Sequence, residues 1–448
     1  MIRNHVHYVP AGLESLAART GQIFVKMESN ENTSIHKGSG YKCIRLHDRT
    51  LHLIQESNRE SRLLDTEIDC DYVVPYQSPV ELRNQNRLIL VNPIHASSKF
   101  TNIFRPYNIK MLADSGGFQL FQGVKSFVHP DDPIEFYNKH TDIGMPLDFP
   151  IDNNYESVVF DAITKLMVAN DDYMLPRLNK KVKLALISHG SNVEMRKRRL
   201  DAIYRETPVV AIGAMMFGVS KDEHDLHNRL LFALANAMYV ISQTRDTAKY
   251  FHFLGVTSRF WLLIYAFLVG TGYIKSCGGD SVSFRMGGIT GNYKHKFSYM
   301  NTDEVATKIE KFSHKSVMTS CACPICQAVS DLNIMADFQL CESHNLWYST
   351  HEKNLICDSV EAFLDGRLTF DQLAEQWLPP KQRKTLRAAF KYIDDVSAKG
   401  FFDLKKPQRL SLFPTSYGKT SRKRDTKTEK RYIQVIRNYE KFYKRKFL

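Results

Sequence analysis

The sequence predicts an α/β fold built on parallel strands. Apolar, β-branched runs alternate with amphipathic helical stretches between about Asn92 and Asp280, and these runs close on small residues. Polar or acidic residues recur where the runs end, at Asp114, Asp148, His189 and Asp280. Repeated strand-helix units require right-handed crossovers, which make the strands parallel and put the functional edge at their C-terminal ends. Periodicity alone does not separate an open doubly wound sheet from a (β/α)8 barrel.

The elements follow in order. Met111-Leu112-Ala113 reads as a strand running into Asp114. Val182 to Gly190 and Pro208 to Gly218 are buried strands, and between them Ser191 to Glu206 is a polar amphipathic helix opened by a Ser-Asn cap. Lys221 to Gln243 is a second helix, Lys249 to Val256 a strand, Ser258 to Gly272 a helix and Gly278 to Phe284 a strand end. A helical stretch from about Ser359 to Ala398 is broken at Leu378-Pro379-Pro380. No internal repeat is visible.

The chain has 448 residues with 43% apolar and 24% charged side chains, which excludes a mostly disordered or fibrous protein. The start carries no apolar secretory segment, so a cytoplasmic location is expected. The longest apolar run, Phe260 to Gly270, falls well short of the roughly 20 residues of a membrane-spanning helix and reads as a buried helix. No membrane association is expected. The net charge of +13 is concentrated at the C-terminus, where Lys419 onward holds 12 basic and 3 acidic residues. Tyr432, Tyr439, Phe442 and Tyr443 are interleaved there, a composition that suits phosphate neutralisation and stacking on bases. A solvated charged helix would look the same.

Eight cysteines are too few for a disulfide scaffold, but four of them, Cys321, Cys323, Cys326 and Cys341, fall within 21 residues. Three thiolates in Cys-x-Cys-x-x-Cys with a distal imidazole suit a closed tetrahedral structural zinc site. His344, Cys341 and His351 compete for the fourth position. The second motif is Ala113-Asp114-Ser115-Gly116-Gly117-Phe118-Gln119. Its glycines permit close approach of a ligand and Phe118 offers a ring for a flat heterocycle, although Asp, Ser and Gly also make ordinary turns.

That motif resembles the signature of the tRNA-guanine transglycosylase superfamily, which exchanges guanine in a polynucleotide for a 7-deazaguanine. Further segments agree in order: Gly213-Ala214-Met215-Met216-Phe217-Gly218, Phe253-Leu254-Gly255-Val256, Gly278-Gly279-Asp280-Ser281-Val282-Ser283-Phe284, the Cys-x-Cys-x-x-Cys triplet and His344-Asn345-Leu346-Trp347-Tyr348. Together they span about Asn92 to Tyr348. The resemblance implies a (β/α)8 TIM-like barrel over 1–310, a zinc-binding subdomain over 311–358 that returns to the barrel, and a basic helical extension over 359–448 for nucleic acid.

It also implies roles. Asp280 is the nucleophile at C1′ and Asp114 the acid/base, in a double displacement through a covalent glycosyl-enzyme. Asp148, with Asp152 as competitor, reads the guanine edge. Ser115, His189, Gly213 and Ala214 complete base recognition, and Phe118 and Leu254 sandwich the ring. Cys321, Cys323, Cys326 and His344 hold Zn2+. Taken alone, Asp280 after two glycines could instead be an Asx-turn.

Departures bear on substrate. Ser188-His189-Gly190 stands where bacterial tRNA enzymes have glutamine before glycine, and Ser281-Val282-Ser283-Phe284-Arg285 replaces their proline-threonine-arginine segment. The cysteine after the base-reading acid is absent, the zinc loop is short, and no tRNA-binding module is recognisable. This pattern is most similar to the DNA 7-deazaguanine transglycosylase (DpdA) group of DNA modification and restriction systems, which implies DNA as partner, a 7-deazaguanine base as second substrate, and modification-system proteins or a second copy of the chain as further partners. Exchange in tRNA is the alternative within the enzyme class. A non-catalytic nucleic-acid-binding subunit is the alternative outside it, although such a subunit has no need of both Asp114 and Asp280.

Overall fold

The computed structural model describes residues 2–11, 41–46, 50–55, 88–93, 110–117, 127–147, 157–190, 192–213, 226–283, 292–295, 298–301, 338–404 and 426–447, with positions 120, 125 and 286. The strands are β1 (Val6–Pro10), β2 (Tyr41–Leu46), β3 (Thr50–Gln55), β4 (Leu88–Val91), β5 (Lys110–Ala113), β6 (Ile143–Gly144), β7 (Lys183–Leu184), β8 (Leu186–Ser188), β9 (Val209–Ile212), β10 (Tyr250–Phe253), β11 (Cys277–Ser281), β12 (Asn292–His295) and β13 (Ser298–Asn301). The α-helices are α1 (Asp131–His140), α2 (Ser157–Met174), α3 (Val193–Ile203), α4 (Leu226–Thr244), α5 (Arg259–Gly270), α6 (Phe338–Leu364), α7 (Phe370–Trp377), α8 (Pro380–Lys399) and α9 (Thr426–Phe447).

The expected parallel α/β architecture is present as two parallel sheets. One has the order β1-β11-β10-β9-β8 and the other β4-β5-β6-β7. They meet at a parallel bridge between Ala11 and Leu90, and β7 and β8 are successive pieces of one stretch on either side of Ala185, whose N–H donates to Gly144 O at 2.9 Å. β2–β3 and β12–β13 are separate antiparallel pairs.

The helices form where the apolar pattern predicts. α3 opens at Asn192, whose side chain accepts from Met195 N. The apolar run from Phe260 is buried throughout Phe260–Leu268 in α5, which packs against α6, α8 and β1. Its Phe267 ring stacks on Phe390 of α8 at 3.8 Å. The break at Leu378-Pro379-Pro380 separates α7 from α8, as the fixed proline φ requires. No described helix is long and apolar enough to cross a membrane.

The C-terminal segment corrects one expectation. α9 is helical and basic, but Tyr439 and Tyr443 are buried against α2 and the chain at 127–129, within the same apolar core as β4 and β5. Those two rings are committed to packing and do not stack on bases. Charge is visible in the sequence, whereas the partner that covers the tyrosines is 270 or more positions away: Val128 lies 311 residues from Tyr439 and Asn170 lies 273 from Tyr443.

Candidate active site

The strand registers bring several of the predicted residues to one edge. Ser188, Ile212, Phe253 and Gly279 are paired across β8, β9, β10 and β11. His189, Gly213, Leu254 and Asp280 are each the next residue toward the C-terminal ends. Gly213 N donates to Ser188 O and Leu254 N to Ile212 O, both at 3.0 Å, which carries the pairing past the strand ends. In the other sheet Val91, Ala113 and Gly144 form the corresponding row, and Asp114 is the first residue beyond it, its N–H donating to Val91 O at 2.8 Å.

Asp280 is part of β11 rather than of a turn, so the Asx-turn alternative does not hold. Its Oδ1 accepts from Gly255 N at 2.8 Å and from His252 Nε2 at 3.0 Å. An ionised carboxylate only accepts, so Nε2 carries the imidazole proton. Nδ1 lies 3.0 Å from the Tyr250 hydroxyl. Burial, with Cys277 and Asp280 nearby, pushes the Tyr250 phenol well above its ordinary range, so it stays protonated and can donate to Nδ1. Tyr250 and His252 alternate along β10 and therefore share a face.

No described donor reaches Asp280 Oδ2, and the side chain is 15% exposed. Among the described residues, Oδ1 is held and Oδ2 takes no hydrogen bond. The preceding glycines let this strand pack closely against its neighbours. A Cβ at Gly278 would lie 2.5 Å from His7 O and 2.9 Å from the Tyr250 hydroxyl, and one at Gly279 would run into Val256 O.

Asp114 is held at both oxygens: Oδ1 accepts from Ser115 N at 2.7 Å and Oδ2 from Asn92 Nδ2 at 3.2 Å. Ser115 Oγ accepts from Gly117 N at 3.2 Å, and Gly116 has φ +80°, a left-handed turn that glycine tolerates. The Tyr137 hydroxyl lies 2.8 Å from Asp114 O and 2.7 Å from Met145 O, which ties the ends of β5 and β6 together. Burial first, and then the Asp114 charge, raises the Tyr137 pKa, so this donor persists.

His189 is buried against Gly213, so closely that a Cβ there would collide with the imidazole. Burial, followed by the nearby Arg199 and Arg196, holds the His189 pKa well below its ordinary value, so the ring is neutral. Arg196 bridges the same two strand ends, donating to Ser188 O and Gly213 O at 2.9 Å each. Burial and Arg199 lower its own pKa to about 9.

Phe118, Asp148, Asp152 and Ala214 lie outside the described residues, as do Cys321, Cys323 and Cys326. His344 is buried in α6, with its ring 5.8 Å from that of Tyr348. Among the described residues no group of three His, Cys, Asp or Glu side chains is placed to hold a metal. Compared with known proteins, the chain matches no family model and no curated protein.

Sequence reasoning missed His252, Tyr250, Asn92 and Arg196. The first two had a signal in the i, i+2 spacing that ends at Leu254, but a histidine within an apolar strand also reads as ordinary core. Asn92 and Arg196 had no comparable signal.

Proposed function

We propose that the chain is a base-exchange transglycosylase that replaces guanine in DNA with a 7-deazaguanine, such as 7-cyano-7-deazaguanine. The observation that carries this reading is Asp280, with Oδ1 pinned by His252 and Gly255, Oδ2 without a donor among the described residues, and Leu254, Gly213 and His189 at the same ends of the neighbouring strands. A carboxylate held in this way has the lone pairs and the fixed aim of a nucleophile.

In this reading Oδ2 attacks C1′ as the C1′–N9 bond breaks, giving a glycosyl ester of Asp280 and free guanine. The departing guanine takes its N9 proton from water, and Asp114, as a carboxylate, takes the proton from N9 of the incoming base, which attacks C1′ and releases Asp280. Two inversions at one carbon retain configuration. Neutral His189 and the backbone at Gly213 and Ala214 would read the base together with Asp148 and Ser115, and Phe118 and Leu254 would flank it.

The Ala11–Leu90 bridge and the continuity of 183–188 support a reading in which the two sheets close into one eight-stranded barrel, with Asp114 and Asp280 on the same rim. Cys321, Cys323, Cys326 and His344 are a soft donor set that would hold a structural Zn2+, whose chemistry here is to fix the 311–358 segment. The basic α9 would meet the phosphate backbone. Incorporation of labelled 7-cyano-7-deazaguanine into duplex DNA tests the reaction. Label in tRNA alone would assign the tRNA reaction, and label in neither would favour a binding subunit.

A further inference from the structure

The C-terminal helix has two faces with different duties. Val435, Tyr439 and Tyr443 recur every four residues on the buried side, flanked by half-buried Ile436 and Phe442. At 100° per residue, Arg437, Lys441 and Lys444 fall on the opposite side, and all three are exposed together with Glu440.

The inner face is tied to α2 and to the chain before α1 by specific polar contacts as well as by area. Tyr439 Oη accepts from Val128 N at 3.3 Å and donates to Val128 O at 2.9 Å, fixing the chain that leads into α1. Phe127 packs on Tyr439 at 4.7 Å, and Phe442 meets His129 at 4.9 Å and Tyr173 at 5.4 Å. Tyr443 Oη accepts from Asn170 Nδ2 at 2.9 Å, and Asn170 Oδ1 accepts from Leu147 N at 2.7 Å, all of it buried. Leu147 immediately precedes Asp148 in sequence. Burial raises the pKa of both tyrosines, so neither loses its proton at physiological pH.

We infer that α9 couples polynucleotide engagement to the base pocket: phosphates bind Arg437, Lys441 and Lys444 on its outer face, while Tyr443, acting through Asn170, holds the main chain at Leu147 where it enters the base-reading segment. This rests on the proposed base exchange for the name of that segment, but the coupling itself does not depend on catalysis. Two predictions separate the faces. Loss of the outer charges weakens binding and its salt dependence, since each phosphate contact contributes to the salt slope. Loss of the tyrosine hydroxyl loosens Leu147 without changing that slope.

The test is amide hydrogen exchange at Leu147 in the full chain, alone and with duplex DNA or with tRNA. Tyr443→Phe is expected to speed exchange at Leu147 roughly fivefold, the equivalent of about 1 kcal/mol for one hydrogen bond, and to leave nucleic-acid affinity within twofold. The Arg437→Ala/Lys441→Ala/Lys444→Ala variant is expected to keep the free-state exchange rate and to lose the added protection that nucleic acid gives the parent. Protection by either polynucleotide supports the coupling and identifies the partner. An unchanged Leu147 rate in a folded Tyr443→Phe chain, or no protection of the parent by either polynucleotide, overturns it. If coupling holds but no base is exchanged, the reaction assignment fails and the coupling stands.

Discussion

Replacing His252 with phenylalanine removes one of the two donors on Asp280 Oδ1 while keeping a flat ring in the buried space between Tyr250 and the carboxylate. A hydrogen bond to a charged group is worth about 1.5–3 kcal/mol. If that bond aims the nucleophile, its loss slows attack at C1′ by roughly 10- to 150-fold at 1.36 kcal/mol per tenfold. Gly255 N continues to hold Oδ1, so activity is reduced rather than abolished. The Tyr250 hydroxyl loses its imidazole partner, an additional cost of about 1–3 kcal/mol in stability. Glutamine at the same position can still present an N–H to Asp280 and is expected to recover much of the rate. The assay is single-turnover formation of the covalent adduct, with thermal denaturation recorded alongside. A folded His252→Phe chain that reacts within twofold of the parent would refute the role assigned to this contact, as would a glutamine variant no faster than the phenylalanine one.

Other consequences are checked separately. Gly279→Ala pushes a Cβ into Val256 O, a backbone atom with little room to yield, and is expected to cost about 1–3 kcal/mol in denaturant titration. Wild-type stability would show that the backbone relaxes. Asp171, with Oδ1 buried and unpartnered and Oδ2 on Arg205, has its pKa raised by burial from 3.8 to about 6 despite that cation. A raised carboxyl pKa contributes stability that is complete below about pH 4 and lost as pH rises through about 6. Two pH units correspond to at most about 3 kcal/mol. Asp171→Asn should therefore gain on the parent by about 2–3 kcal/mol between pH 4 and pH 8, and a constant difference would contradict the burial account. Cys323→Ser should lose bound zinc, measured by metal analysis, together with thermal stability; unchanged metal content would remove that cysteine from the ligand set.

The strand ends were legible because a parallel strand buried on both faces must be apolar, so the first polar residue after it marks the edge. Asp114 and His189 directly follow their strands and Asp280 lies near the end of its own, so all three mark that edge, although a turn would explain Asp114 as well. Gly278 and Gly279 were visible as glycines but not as a consequence of cross-strand crowding, because Val256 and His7 come close only in the fold. His252 was hidden for the same reason: its partner Asp280 is 28 residues away on the next strand. In α9 the lysines announced a charged surface, and the tyrosines among them suggested stacking. Their burial against Val128 and Asn170 depends on contacts too distant in sequence to be read from local composition.

The central claim is that Asp280 forms the covalent bond to C1′. Its most direct measurement is denaturing electrophoresis and mass spectrometry of the full chain incubated with labelled duplex DNA, before and after 7-cyano-7-deazaguanine is added. The parent is predicted to form a denaturation-resistant adduct through Asp280 that disappears as the new base enters the DNA, and Asp280→Ala to form none. An adduct of equal yield in Asp280→Ala, or base exchange that persists in that variant, would contradict it.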